Sequence, residues 1–349
     1  DGLIETVASG VSRLNYPLID GVVNGCPSHL LEPSRLQKIQ YSEAFDNAYW
    51  NKLNNVTVSA EKVISPDGTL NASQLIFDGT SGGRIEKPIT GLTQGADYTV
   101  SVYARVSSGT QVVNFGSVND FEYTLTTEWQ RLTSTQAEND TTAYPRFICD
   151  DATTIEIWGA QFEEGSYATS YIPNYGTSAG ITRSAETANG AGDASTFNDS
   201  EGVLMAEVST KKNYEFKRIS IHSGSYVNSI VFDFDNTNKL YGKVFVGGNL
   251  VATILASGLN IENNNKLILK YKENDFALWV NGFKVGTDNN GITPTGLNNL
   301  AFDLANGQPF YGSAKQIQYF DTALNDSDLE TITSWTSFTD MANGQTYSI

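Results

Sequence analysis

The sequence predicts an all-β protein with two antiparallel β-sandwich (jelly-roll) domains and one short helix near the C-terminus. Its 349 residues exceed the usual length of a single domain. Only 17% of residues are charged, whereas glycine occurs 31 times and aromatic residues make up 11%. This composition is typical of short strands joined by turns rather than of helices. From Tyr41 onward, turn signals recur at roughly the 8–12-residue spacing of sandwich folds.

Changes in composition along the chain predict the domain boundaries. Residues 1–40 contain too few apolar residues for a core, so we expect an arm. Residues 41–173 are predicted to form the first sandwich, and residues 198–349 the second sandwich with a C-terminal tail. Between them, residues 174–197 are rich in Gly, Ser, Thr, Ala and Asn, which predicts a linker.

In the first sandwich, the clearest strand runs from Tyr98 to Val106. Its alternation predicts a core face and an outer face. Tyr98, Val100, Val102, Ala104 and Val106 form the core face, and Thr99, Ser101, Tyr103 and Arg105 the outer one. A second strand, 155–162, directs Glu156 and Trp158 outward and ends at Glu163-Glu164-Gly165, interpreted as a solvated turn. Other predicted strands are 56–60, 73–77, 84–87, 112–115 and 146–149, with Trp129 in the core and Trp50 at the sandwich edge.

The second sandwich is predicted from a similar series of strands followed by a helix. Asn281-Gly282 is a strong signal for a tight hairpin turn. Asn325, with Asp328 three residues later, predicts a helix N-terminus. The expected strands are 202–210, 218–223, 228–236, 239–247 and, within 266–286, two that flank the turn Lys272 to Asp275. The helix should direct Leu329 and Ile332 inward.

Charge and cysteine content limit the partners. The net charge of −17 and pI of about 4.5 argue against nucleic acid and anionic membrane surfaces, and suit an extracellular protein. No apolar run is long enough for membrane insertion. Cys26 and Cys149 could form one bridge, but their separation favours two buried thiols. Asp1 reads as an interior residue of a longer protein.

Catalytic motifs are not found in the sequence. His29 and His222 fall in different predicted domains, so no Ser-His-Asp set can be argued. Sandwich glucanases carry Glu-x-Asp-x-x-Glu on one strand, and the nearest segment here, Asp233-Phe234-Asp235, lacks both glutamates. The sequence therefore predicts that the chain is not an enzyme.

Two kinds of binding site are considered instead. Asp233 and Asp235 could ligate Ca²⁺, although an ordinary hairpin turn uses the same residue types. Aromatic rings stack on sugars while polar neighbours fix the hydroxyls. The predicted glycan-binding residues are Tyr103, Arg105 and Trp158 in the first domain and Trp279 in the second. The alternative is that the arm, the linker or another subunit covers these faces.

Two segments of the chain resemble known families. WGAQFEEG, YATSYIP and TRSAE, with CPSHLLEPSRLQKIQYSEAFDNAYW and TEWQRLT upstream, resemble the carbohydrate-binding-type jelly roll of phage tail-fibre proteins. Residues 200–335, with VNG and ALNDSDL, resemble a concanavalin A-like or laminin-G-like sandwich.

These resemblances imply a virion tail-fibre component, extracellular and trimeric, that binds host-surface glycans and other virion proteins. Two alternatives remain open. The chain could supply the accessory glycan-binding domains of a secreted polysaccharide-degrading enzyme, or it could be a structural virion spacer or decoration protein.

Overall fold

A computed structural model describes residues 3–8, 10–19, 22–23, 25–213, 215–305 and 307–334. Its strands are β1 Leu14–Asn15, β2 Leu18–Ile19, β3 Val22–Val23, β4 Ser28–Leu31, β5 Arg35–Gln37, β6 Asn51–Leu53, β7 Thr57–Ile64, β8 Leu70–Asp78, β9 Arg84–Glu86 and β10 Ile89–Thr90. They continue as β11 Asp97–Val106, β12 Gln111–Gly116, β13 Asp120–Leu125, β14 Gln130–Ala137, β15 Thr142–Ala143, β16 Arg146–Ile148, β17 Ala152–Glu164, β18 Ile181–Arg183 and β19 Glu201–Thr210. The last are β20 Lys217–His222, β21 Ser229–Phe234, β22 Leu240–Val246, β23 Asn249–Ala256, β24 Asn265–Lys272, β25 Phe276–Val280, β26 Phe283–Asp288, β27 Asn299–Ala301 and β28 Gly312–Phe320, followed by helix α1, Asp326–Thr333.

The all-β prediction is confirmed, and the chain divides into two compact units. Unit 1 consists of Pro33–Ala185 with the residues up to Thr6, and unit 2 of Val7–Glu32 with the residues from Glu186 onward. Both units consist of antiparallel sheets packed on apolar cores. The predicted C-terminal tail, 335–349, lies outside the described residues.

Unit 1 is a sandwich of two five-stranded sheets. One sheet has the order β14-β11-β17-β8-β7, and the other β13-β12-β16-β9-β6. The predicted core face of β11 is confirmed, because Tyr98, Val100, Val102, Ala104 and Val106 are all at most 3% exposed. Strand β13 was not predicted, although Phe121, Tyr123 and Leu125 alternate with polar residues along it; most of its side chains are exposed.

Unit 2 contains a seven-stranded sheet, β1-β4-β28-β19-β24-β25-β26, and a five-stranded sheet, β23-β22-β21-β20-β27. The predicted hairpin turn joins β25 to β26, with positive φ at both Asn281 and Gly282. Helix α1 begins as predicted, because the Asn325 side chain accepts a hydrogen bond from the Asp328 backbone N–H. Leu329 and Ile332 pack in one apolar cluster with Trp279. Strand β23 was not anticipated from the sequence.

The predicted arm and linker differ from the structure. Strands β1 and β4 form one edge of the seven-stranded sheet of unit 2, where Leu31 enters the core. His29 on β4 therefore belongs to unit 2, as His222 does. The predicted linker contains residues that pair with strands. β18 pairs with β5 within unit 1, and Ala191 forms a β-bridge with Leu300 within unit 2. Part of the backbone of this Gly- and Ser-rich stretch is thus hydrogen-bonded to strands distant in sequence.

Other sequence interpretations are corrected by burial. Cys149 is buried as expected, but Cys26 is exposed, and both are free thiols. Trp129 is half-buried in the turn before β14 and is not a core residue. Trp50 is 5% exposed and stacks on Phe45 in the core of unit 1.

Candidate functional site: a polar groove in unit 1

The predicted aromatic face on unit 1 forms, but most of it is closed. Tyr103 and Trp158 lie side by side on β11 and β17, with ring centroids 5.5 Å apart. Trp158 does not face solvent, because it is only 1% exposed. The Tyr171 ring covers it, with the two ring centroids 4.5 Å apart. Burial also raises the pKa of Tyr103. Trp158 is therefore a packing residue.

Arg105, the third predicted residue on this face, has its charge compensated. Its Nε donates to Glu156 Oε2 at 2.6 Å, and its guanidinium lies 4.8 Å from the centre of the Trp129 ring. A ligand would have to compete with both partners for the guanidinium. The structure thus brings Tyr103, Arg105 and Trp158 together, but Arg105 is paired with Glu156 and the Trp158 ring is buried.

The segment after β17 explains why this face is closed. Glu163, interpreted from the sequence as part of a solvated turn, is fully buried. Its carboxylate accepts hydrogen bonds from the backbone N–H and hydroxyl of Thr169, at 2.8 and 2.6 Å. These bonds hold the chain after Gly165 back against β17, which places Tyr171 over Trp158.

The predicted binding residues of unit 2 also contact other groups of the protein. Trp279 is 4% exposed and packs in the cluster that contains Leu329 of α1. Asp233 is fully buried between Arg218 and Lys243, with its Oδ1 2.9 Å from Arg218 Nε. Asp235 accepts hydrogen bonds from the backbone N–H groups of Thr237 and Lys239, as an aspartate in an ordinary hairpin turn does. Neither aspartate is arranged as a Ca²⁺ ligand, and the described residues contain no group of three or more His, Cys, Asp or Glu that could hold a metal.

An open concavity of a different kind lies elsewhere on unit 1. This groove has a volume of about 370 Å³, within the range of small-ligand sites. Four separate stretches of the chain build it: the segment containing β5, the loop before β6 with Tyr49, the segment around β10, and the turn before β18. It is lined by Leu36, Lys38, Gln40, Tyr49, Lys87, Pro88, Ile89, Thr90, Ser178, Ala179 and Gly180.

The groove is held open by hydrogen bonds between these stretches. Gln40 Nε2 donates to the carbonyl of Gly176 at 2.8 Å, and the Gly176 N–H donates to the carbonyl of Gln40 at 2.8 Å. The Tyr49 hydroxyl accepts from the backbone N–H of Gln40 at 3.2 Å, and burial raises the pKa of Tyr49. Its wall is therefore pre-formed.

Tyr49 lines the groove, and two further tyrosines are connected to it through a ring contact and a backbone bridge. The ring of Tyr41 lies 5.6 Å from that of Tyr49, and Tyr41 forms a β-bridge with Tyr175. Tyr175 is 72% exposed, and its hydroxyl donates to Glu43 Oε1 at 3.1 Å. Burial, together with the negative charge of Glu43, raises the pKa of Tyr175 to about 12. The phenol stays protonated and fixed as a donor, so its ring is presented to solvent in a defined orientation.

Sequence reasoning missed this groove because its residues are dispersed. No stretch carries more than a few of them, and no motif or periodicity connects Lys38, Lys87 and Ser178. The only local signal was the abundance of tyrosine at 41, 49, 171 and 175.

No protein-family model and no curated protein sequence matches this chain. Among solved structures, it is similar to the CBM40 of a Ruminococcus gnavus IT-sialidase bound to alpha2,3 sialyllactose, at 18% identity, 43% of this chain, 97% of that chain and a TM-score of 0.36. It is also similar to the CBM22-1–CBM22-2 tandem of Paenibacillus barcinonensis Xyn10C, at 10% identity, 84% and 100% coverage and a TM-score of 0.32. Mouse laminin alpha1 domains LG4-5 match at 11% identity, 72% and 93% coverage and a TM-score of 0.28. At these values, none of the similarities assigns the chain to a family.

Proposed function

We propose that this chain binds glycans without cleaving them, through the groove of unit 1. The observation that carries the proposal is a pre-formed groove of about 370 Å³ whose lining offers hydroxyl, amide and amino groups beside the ring of Tyr49. Hydroxyl and amide groups pair with sugar hydroxyls, while aromatic rings stack on the apolar faces of sugar rings. In this proposal the stacking surface is the 72% exposed ring of Tyr175, which lies outside the groove lining but precedes Gly176, whose backbone N–H donates to the lining residue Gln40.

The hydroxyls of Thr90 and Ser178 support a polar ligand. Both line the groove, and neither forms a side-chain hydrogen bond with another described residue. They are available to donate to a ligand and to accept from one. A purely apolar ligand would leave them unpaired, which costs about 1–3 kcal/mol for each buried group.

The test is glycan binding by the full chain, first on an array and then by calorimetry. Ala179→Trp should abolish binding because the indole fills the groove. Ser107→Trp, at an exposed position of unit 1 outside the groove lining, is the matched control and should bind normally. Equal binding by both variants would place any glycan site elsewhere.

Tyr175→Ala tests the stacking surface. Affinity should fall by about 1–3 kcal/mol, by analogy with bases stacked on aromatic side chains. Tyr175→Phe keeps the ring and should keep most of the affinity. Release of reducing ends from any bound polysaccharide would contradict the non-catalytic part of the proposal.

The biological setting is proposed from the sequence resemblance alone: an extracellular virion tail fibre that attaches to host glycans, with other tail proteins as partners.

We also propose that the chain forms a homotrimer. Its edge strand β26 exposes Phe283 by 75% and Val285 by 40%, which suits self-association. Light scattering should report a trimer that Phe283→Glu dissociates. Within the described residues, no helix is long and apolar enough to cross a membrane.

A further inference from the structure

The groove has a charge opposite to that of the chain. The whole protein carries 39 acidic and 22 basic residues, but the groove lining contains two lysines and no acidic side chain. We infer that the groove binds the anionic group of an acidic saccharide, a carboxylate or a sulfate, between Lys38 and Lys87. This inference rests on the proposed glycan-binding function and specifies its ligand class.

Neither Lys38 nor Lys87 forms an ion pair with a carboxylate of the described residues. Four arginines of unit 1 do have such partners. The pairs are Arg35–Glu163, Arg84–Glu86, Arg105–Glu156 and Arg146–Asp120. Both groove lysines are half-buried, and a partly desolvated ammonium without a counter-charge favours an anion.

Both lysines are held in place without losing their hydrogen-bond donors. The Lys87 Nζ lies 4.3 Å from the centre of the Tyr49 ring, and its backbone N–H donates to Pro145. The Lys38 Nζ lies 6.0 Å from the centre of the Tyr98 ring, and its backbone N–H donates to Phe162. A cation–π contact orients an ammonium but leaves its three N–H donors for oxygen ligands.

The neutral groups of the groove complete a site for a sugar acid. The hydroxyls of Thr90 and Ser178 can pair with ring hydroxyls while the ammonium groups pair with the anion. A concave wall lined by one sign of charge concentrates its field toward the ligand. Because the net charge of −17 repels polyanions overall, short acidic oligosaccharides should bind more readily than long chains.

The experiment compares three oligosaccharides of equal length with the full chain: an oligogalacturonate, a sulfated galactan fragment and a neutral galactan fragment. At least one acidic ligand should bind more tightly than the neutral one, and its affinity should fall as salt is raised. The two acidic ligands distinguish carboxylate from sulfate as the anion.

Lys38→Gln and Lys87→Gln should each weaken acidic-ligand binding roughly tenfold, the value of a lost charge-assisted hydrogen bond. Neither should change binding of the neutral ligand. Lys62→Gln, the same charge change at an exposed position of unit 1, is the matched control and should stay within about twofold. Thr90→Glu leaves both lysines in place, adds a negative charge at an exposed lining position, and should weaken the acidic ligands selectively.

The outcomes separate this inference from the function on which it rests. If glycans bind but the lysine variants and Lys62→Gln behave alike, the anionic site is wrong while glycan binding stands. The same conclusion follows if the neutral fragment binds as tightly as both acidic ones. If no glycan binds, the proposed function itself fails.

Discussion

Trp158 in unit 1 and Trp279 in unit 2 occupy similar positions but are covered differently. Each lies on the face of its strand opposite the aliphatic core residues, and each is almost fully buried. Trp158 is covered by Tyr171 from an irregular segment, whereas Trp279 packs with Leu329 of helix α1. The outer face of a strand is therefore not necessarily exposed to solvent, because a segment distant in sequence can cover it.

The largest expected effect is on unit 1. Trp158→Ala should lower the free energy of unfolding of this unit by about 3–5 kcal/mol, because it removes a buried indole and leaves a cavity. Thermal and denaturant unfolding measure the loss. Tyr171→Phe, which keeps the covering ring, should cost much less. Near-normal stability of Trp158→Ala with a loss of glycan binding would show instead that Trp158 contacts ligand.

In unit 2, Leu329→Ala should lower the free energy of unfolding by about 2–5 kcal/mol, since Leu329 is fully buried in the cluster around Trp279. A red shift of indole fluorescence would accompany the loss as Trp279 becomes accessible. Thr331→Ala, at an exposed position of the same helix, is the control and should stay within about 0.5 kcal/mol. A normal spectrum in Leu329→Ala would mean that α1 does not protect Trp279.

The smallest expected effect concerns the start of the covering helix. Asn325 Oδ1 accepts from the Asp328 N–H at 3.0 Å, so Asn325→Ala should cost about 1 kcal/mol. Asn325→Ser keeps a neutral side-chain acceptor and should retain most of the stability. Amide hydrogen exchange in α1 is the appropriate measurement, and unchanged protection in Asn325→Ala would contradict a capping role.

Local features were predictable from the sequence because their causes are local. The alternation of Tyr98 to Val106 determines which side chains of β11 enter the core. Asn281-Gly282 determines a hairpin turn, and Asn325 a helix start, through backbone preferences of a few residues.

The candidate site could not be predicted because its causes are not local. The groove forms only when Lys38, Lys87 and Ser178 are brought together by pairing between distant strands. Likewise, nothing near Trp158 in the sequence indicates that Glu163 will bind Thr169 and direct Tyr171 onto the indole. Periodicity identifies the side of a strand, but the cover on that side depends on tertiary structure.

The pairing of β5 with β18 has a consequence for the order of folding. Arg35 and Arg183 are paired residues of the two strands, so the two ends of the 33–185 segment lie next to each other. Next to them, the Glu186 N–H donates to the Glu32 carbonyl within unit 2. Once unit 1 has folded, the loop between β4 and β19 is effectively short, which lowers the entropic cost of closing the seven-stranded sheet. During synthesis, β4 emerges before the 33–185 segment of unit 1 but must wait for β28, which follows that segment in the sequence. We therefore expect unit 1 to fold before the discontinuous unit 2.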